Sequence, residues 1–174
     1  RENLTIAKVI KVEESDGYSI IETDIDIAEY LSKALYVESA AYGTNSASLS
    51  GFSYGNKSFA TYLAVAKGEY SVAIGAYATS LGKYAVAIGY NCIAKGIISH
   101  AEGQKTIAEG AMSHAEGNYT YAKGRAEHAQ GQYNKSNWVN DGTGANWGNS
   151  GNTLHSVGIG TSEETRKNAE EIMQ

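Results

Sequence analysis

The sequence predicts an all-β chain built as a flattened β-solenoid, and three observations support this. A glycine recurs at every seventh residue from Gly68 to Gly131, ten times without a gap. Alternate heptads differ, so the true repeat has fourteen residues, and small side chains fill every second position in it. A coiled coil is excluded because each glycine inside a helix costs about 1 kcal/mol relative to alanine. We expect glycine to supply the backbone freedom that each corner of the solenoid needs.

The N-terminal segment, residues 1–40, lies outside the repeat. Residues 4–22 predict two strands around a hairpin turn at residues 15–17. Apolar residues at helical spacing predict a short amphipathic helix over residues 24–37. We expect this segment to cap the solenoid or to connect it to other parts of the assembly.

Residues 41–134 form the repeat region, which is loose over residues 42–67 and strict from Gly68 onward. Side chains alternate between the faces of a strand, so places one, three and five of each unit share a face. These places hold only serine, alanine and glycine, except for Glu127. Places eight, ten and twelve are also small, and the lone cysteine, Cys92, is expected there as a buried packing residue. Each unit therefore predicts two short strands that enclose a thin interior, and the core is buried by stacking of coils.

The opposite face of the first strand in each unit predicts an association surface. Its two outward places hold valine and isoleucine in the first two units, and histidine with glutamate or glutamine in the next three. They are Val72, Ile74, Val86, Ile88, His100, Glu102, His114, Glu116, His128 and Gln130. A monomer would leave the apolar part exposed, so we expect an oligomer joined through these residues. The outward places of the second strands, such as Lys95, Glu109 and Lys123, predict a solvated sheet.

Stacked coils would place the three histidines in a ladder. We expect a polar interface layer in which imidazole donates a hydrogen bond to carboxylate across subunits. An ion or water held on the axis of the oligomer is the second interpretation of the ladder, and a catalytic role is the third. Pairing with Glu102 and Glu116 would raise the pKa of His100 and His114, whereas burial would lower it. No catalytic, cofactor-binding or metal-binding residue is assigned.

Residues 135–174 predict a C-terminal loop and connector. The loop is rich in asparagine and glycine, with Trp138 and Trp147 as expected anchors. Farther on, Thr161 or Ser162 followed by two glutamates is typical of a helix start. No prediction is made for residues 169–174.

The motifs SVAIG, AVAIG and SHAEG resemble the head repeats of YadA-type trimeric autotransporter adhesins, which also occur in bacteriophage tail fibres and spikes. The resemblance is close over residues 68–134. It implies a left-handed parallel β-roll, assembled as a parallel homotrimer around a threefold axis. The segment from Thr153 onward resembles the stretch that precedes an intramolecular chaperone domain in phage fibres, where extended structure replaces the helix.

Composition and charge argue against several classes of function, namely nucleic-acid binding, membrane insertion and catalysis. The net charge of −5 and the lack of a basic run argue against a nucleic-acid partner. No apolar stretch reaches the roughly 18 residues of a membrane span, so no membrane insertion by this segment is expected. An enzyme needs carboxylates clustered in a cleft, whereas Glu102, Glu109 and Glu116 are expected on different faces. We therefore expect no enzyme.

The resemblance implies an extracellular, non-catalytic attachment module whose partner is a host cell-surface glycan or protein. A bacteriophage tail fibre or spike is preferred, because of the C-terminal segment and because no export signal is visible at Arg1. A bacterial trimeric autotransporter head is the alternative, and a polysaccharide-degrading tailspike is the third. Among the turn tyrosines, Tyr119 and Tyr121 are the candidate ligand surface, while packing along the rim is the other interpretation.

Overall fold

The computed structural model describes residues 9–15, 18–23, 40–139 and 149–174. The chain divides into two units, Arg1–Val37 and Glu38–Gln174. In the first, β1 (Val9–Ser15) and β2 (Tyr18–Thr23) pair antiparallel. The two predicted strands of the hairpin are thus confirmed. The helix predicted over residues 24–37 lies outside the described residues.

The second unit is a parallel β-solenoid in which the chain alternates between two sheets. The nine-stranded sheet consists of β4 (Ala47–Leu49), β6 (Phe59–Thr61), β8 (Val72–Ile74), β10 (Val86–Tyr90), β12 (His100–Gln104), β14 (His114–Asn118), β16 (His128–Gln132), β17 (Thr153–Ile159) and β18 (Asn168–Met173). The seven-stranded sheet consists of β3 (Ala40–Ala41), β5 (Phe52–Ser53), β7 (Val65–Ala66), β9 (Thr79–Ser80), β11 (Ile93–Ala94), β13 (Ile107–Ala108) and β15 (Tyr121–Ala122). The predicted all-β solenoid is confirmed.

Strand register confirms the fourteen-residue repeat. Val86 pairs with Val72 on one side and with His100 on the other, and the same offset holds through β14 and β16. The first coils are shorter than fourteen residues. This is shown by the register, in which Phe59 pairs with Val72 and Ala47 pairs with Phe59. The last strand, β18, runs antiparallel to β17. No helix long and apolar enough to cross a bilayer occurs in the described ranges.

The interior is lined by small side chains, as predicted. Ala73, Ala87, Ala101, Ala115 and Ala129 form one fully buried column, and each is 0% exposed. Cys92 is buried and free, also as predicted. One detail of the prediction is wrong: the glycine at place five of the unit is not buried. In the later coils it is the fourth residue of a five-residue strand, and its backbone has a positive φ there.

The corners depend on more than glycine. Residues with positive φ recur every seven positions from Tyr70 to Tyr133, each two residues after a repeat glycine, and none of these ten is itself a glycine. Repeat glycines such as Gly89 also have positive φ, at 121°. Others, such as Gly96, do not. An added Cβ at Gly96 would collide with the carbonyl of Gly110 in the next coil, so this glycine is needed for close stacking rather than for its φ.

Polar side chains close the C-terminal end of the seven-stranded sheet. Asn134 accepts a hydrogen bond from the Tyr121 amide through Oδ1 (2.7 Å) and donates to the Tyr121 carbonyl through Nδ2 (3.0 Å). Ser136 Oγ accepts from the Lys123 amide at 3.1 Å. These contacts replace the backbone partners that another coil would supply. The nine-stranded sheet continues as β17 and β18, so the local helix signal at Thr161 is wrong for the described residues 149–174.

Candidate functional site

The outward face of the nine-stranded sheet carries two parallel columns of side chains, one on each side of the buried alanines. The first column contains Ala47, Phe59, Val72, Val86, His100, His114, His128 and His155. The second contains Leu49, Thr61, Ile74, Ile88, Glu102 and Glu116, with Gln130 and Val157 following. All ten residues predicted for the subunit interface therefore lie on one face. The face is apolar at its N-terminal end and polar toward its C-terminal end.

The apolar part of this face is incompletely covered in the single chain. Ile88 is 36% exposed, and Val72, Ile74 and Val86 are half-buried. The stripe is longer than predicted, since Leu49 (69% exposed) and Phe59 (37% exposed) extend it. Sequence reasoning missed these two residues because their coils are shorter than fourteen residues, so the fixed repeat phase does not reach them. Their alternation with the inward Ser48 and Ala60 is the signal that could have found them.

The histidine ladder forms as predicted. The rings of His100, His114 and His128 stack almost parallel, with centroids 4.7 and 4.9 Å apart. His155 meets His128 edge-on at the end of the ladder, with centroids 5.1 Å apart. The ladder follows directly from the fourteen-residue register, because parallel strands bring identical places of successive units side by side.

Carboxylates of the second column lie beside the histidine ring nitrogens, but at ion-pair distance. His114 Nε2 is 3.5 Å from Glu102 Oε1, and His128 Nε2 is 3.4 Å from Glu116 Oε1. His100 Nε2 is 3.9 Å from Glu102 Oε2. Each of the three Nε2 atoms is buried and has no hydrogen-bond partner among the described residues. The donation of imidazole to carboxylate is therefore not made within one chain, and its cross-subunit form stays a prediction.

The pKa of His100 is lowered from its ordinary value, first by burial and then by the neighbouring His114. Glu102 and Glu116 raise this pKa, but their effect is smaller than that of burial and His114. The expectation that pairing raises the pKa of His100 is therefore wrong, and the burial alternative holds. Burial disfavours the charged imidazole, and a proton on the neighbouring ring of His114 adds to this effect.

Three of these side chains could hold a metal ion. One ligand atom each from Glu102, His114 and Glu116 lies within 4.8 Å of the other two. The prediction that the glutamates occupy different faces is wrong for two of them, since Glu102 and Glu116 are register partners. Glu109 lies on the other sheet, 3.6 Å from Lys95 Nζ and hydrogen-bonded to the Tyr121 hydroxyl.

The candidate ligand-surface residues Tyr119 and Tyr121 are half-buried. Tyr119 stacks on Tyr133 with centroids 4.6 Å apart, and it receives a hydrogen bond from Lys105. The Lys123 ammonium lies 4.9 Å from the centroid of the Tyr121 ring. Other turn tyrosines are more exposed, including the stacked pair Tyr70 and Tyr84. The tyrosines therefore form local stacks with lysines, and a ligand role for Tyr119 and Tyr121 stays a prediction.

The seven-stranded sheet is less polar on its outside than predicted. Lys95, Glu109 and Lys123 are exposed there. The neighbouring outward column nevertheless contains Ile93 and Ile107, which are half-buried. Lysine and glutamate stems on the same strands cover apolar side chains in this way while their charged ends stay in water.

Comparison with known proteins agrees with the repeat architecture. Residues 66–91 match the YadA head domain repeat in two copies. They span β8, β9 and β10, which include the valine and isoleucine part of the two columns. No curated protein matches the chain. The resemblance predicted from the motifs is thus confirmed, and the chain carries YadA head domain repeats folded as a parallel β-solenoid.

Proposed function

We propose that the chain is a non-catalytic head module of a homotrimeric, extracellular fibre that attaches to a host surface. The observation that carries this proposal is the pair of YadA head repeats at residues 66–91, whose outward apolar side chains remain uncovered in one chain. A monomer would expose this stripe along several coils. Apolar patches of that size on a regular surface are typical of association sites.

In the proposed trimer, the nine-stranded sheets face the threefold axis, and the number three comes from the YadA-type resemblance. The interface consists of Val72, Ile74, Val86, Ile88, His100, Glu102, His114, Glu116, His128 and Gln130. Its apolar end would supply most of the association energy, because buried apolar area is the main favourable term. Its polar end would fix the axial register of the three chains, a role attested for buried polar residues in other assemblies.

The trimer can be tested with two isoleucines of one coil. Ile88 in β10 faces outward from the nine-stranded sheet, and Ile93 in β11 faces outward from the seven-stranded sheet. We expect Ile88→Asp to sediment as monomer or aggregate, because the trimer would bury three unpaired charges at its axis. Ile93→Asp is the matched control and should remain trimeric. An intact Ile88→Asp trimer would contradict the proposed interface.

The proposed attachment surface includes Tyr119 and Tyr121, and the partner is a host cell-surface glycan or protein. Tyrosine offers a large amphipathic contact area at low entropic cost. Three weak sites on one rigid rod would gain avidity through effective concentration. We expect Tyr119→Ala with Tyr121→Ala to reduce binding of the trimer to host cells by about tenfold or more.

The matched control is Tyr70→Ala with Tyr84→Ala, a second stacked tyrosine pair. Binding that survives at full strength in the Tyr119/Tyr121 variant would make this segment a spacer. Release of sugar fragments from host polysaccharide by the purified protein would contradict the non-catalytic part of the proposal.

Two fibres could carry such a head, and we propose a bacteriophage tail fibre or spike. The resemblance of the segment after Thr153 to the stretch that precedes phage chaperone domains supports this choice. The alternative is a bacterial trimeric autotransporter adhesin, because the head repeats matched at residues 66–91 occur in both kinds of fibre. Antibodies raised against the purified chain should label phage tails if the first proposal holds. Label on the bacterial envelope alone would favour the alternative.

A further inference from the structure

The polar end of the outward face has a feature that an interface layer does not require. The Nε2 atoms of His100, His114 and His128 are buried without any hydrogen-bond partner in the part of the chain that the structure describes. Buried polar atoms nearly always have a partner. Each of these nitrogens faces a carboxylate that is too far away to accept a good hydrogen bond.

The distances fit a metal ion. Two ligands of one tetrahedral zinc ion, each about 2.1 Å from the metal, lie about 3.4 Å apart. His114 Nε2 is 3.5 Å from Glu102 Oε1. A Glu116 oxygen completes a group of three ligand atoms that all lie within 4.8 Å of one another. Small rotations of the carboxylates would bring the third ligand into the same coordination sphere.

The charges fit as well. Glu102 and Glu116 bring two negative charges to the same point on adjacent strands, where no lysine or arginine pairs with them among the described residues. A divalent cation would balance both carboxylates.

We propose that Glu102, His114 and Glu116 form a binding site for a divalent transition metal ion of the zinc class. The site lies between β12 and β14 on the outward face of the nine-stranded sheet. A mixed set of imidazole and carboxylate ligands suits zinc, whereas magnesium and calcium prefer oxygen ligands alone. The three ligands belong to one chain, so the site does not depend on the proposed trimer, and failure of either proposal leaves the other intact.

The matched control lies in the same ladder. His155 continues the histidine column in β17, but Gln130 and Val157 stand where the carboxylates would be. His155→Gln therefore removes a ladder histidine that lacks the proposed carboxylate partners. His114→Gln removes a proposed ligand, and Glu102→Gln removes another while keeping the side-chain shape.

The test is calorimetric titration of the purified, metal-free protein with zinc chloride. We expect one zinc ion per chain, and a melting temperature that rises with zinc and returns with a chelator. His114→Gln and Glu102→Gln should each lower zinc affinity by about tenfold or more, since even outer-shell changes cost 10–100-fold. His155→Gln should bind zinc like the wild type. Circular dichroism of each variant shows whether the solenoid is folded.

Three results would overturn the proposal. The first is the absence of zinc binding by the wild-type protein. The second is unchanged zinc affinity in folded Glu102→Gln or His114→Gln, or an equal loss in His155→Gln. The third is binding of magnesium chloride as tight as that of zinc chloride, which would indicate a non-specific carboxylate surface.

Discussion

The strict coils and the C-terminal end of the solenoid both bury backbone polar groups, but they do so with different partners. Within the coils, no buried side chain is larger than threonine or cysteine. At the C-terminal end the largest fully buried side chains are Glu127, Asn134 and Asn152. The coils are closed by the next coil, through backbone hydrogen bonds repeated every fourteen residues. The end has no next coil, so long polar side chains must take its place.

Glu127 shows how the two regions meet. It occupies place one of the partial fifth unit, where the complete units have serine or alanine. Its Oε2 accepts from the Gly124 amide at 2.7 Å and from Ser136 Oγ at 2.7 Å. In the preceding coil, the equivalent Gly110 amide donates to the Ala122 carbonyl. A side chain that breaks the repeat therefore marks the point where backbone partners end.

The largest expected effect is in the interior of the coils. Ala115→Leu adds three heavy atoms to a site with 0% exposure, facing a sheet of small residues. Overpacking costs about 1–3 kcal/mol even in thicker cores, so we expect little or no folded protein. Ala111→Leu, at the half-buried turn that precedes this strand, is the control and should fold. Soluble Ala115→Leu protein with an unchanged melting temperature would refute the assignment of the inward face.

The second largest expected effect is a change in stability with pH, and it arises from Glu127 at the C-terminal end of the solenoid. Burial raises the pKa of the Glu127 carboxyl from 4.5 to about 7, and Glu171 adds to this. The hydrogen bonds from Gly124 and Ser136 favour the charged form, but burial outweighs them. Because the folded pKa is raised, the contribution to stability is complete below pH 4.5. It is lost as the pH rises to about 7.

Glu127→Gln removes this titration while keeping the shape and the hydrogen-bond acceptor. Above pH 7 we expect the variant to be more stable than the wild type, by on the order of 3 kcal/mol. The two proteins should converge near pH 4.5. Urea unfolding of both proteins at several pH values measures the difference, which isolates Glu127 from the histidines. Parallel stability curves would show that folding does not raise the pKa of Glu127.

The smallest effect compares two glycines at the same place of units that are two coils apart. An alanine Cβ at Gly96 would meet the backbone of Gly110, which cannot move without shifting a whole coil. At Gly124 the nearest atoms are Trp138 Cε3 at 3.1 Å and Glu127 Oε2 at 3.2 Å, both on side chains that can adjust. We expect Gly96→Ala to cost about 1–3 kcal/mol and Gly124→Ala distinctly less. Equal losses in melting experiments would mean that the end is packed as rigidly as the coils.

Much of the fold could be predicted because the same residue types recur at the same places of each fourteen-residue unit. The buried alanine column, the histidine ladder and the position of Cys92 all follow from one period and from the alternation of side chains along a strand. The candidate interface followed from the same alternation. Leu49 and Phe59 were missed because their coils have a different length. The direction of the His100 pKa shift could not be decided from the sequence, because pairing with the glutamates raises this pKa whereas burial and the neighbouring His114 lower it.

The sequence by itself determined the solenoid, its fourteen-residue coil and the residues that share each face, because these depend on short-range periodicity alone. Only the tertiary structure showed that Gly96 is needed for stacking alone, whereas Gly89 is needed both for stacking and for its positive φ. It also decided how the solenoid ends. Asn134, Ser136 and Glu127 replace backbone partners through contacts between coils. Such contacts occur once, so they produce no periodic pattern in the sequence. The placement of Glu102 and Glu116 around His114 belongs to the same class, because distances between atoms on neighbouring strands arise only once the coils are stacked.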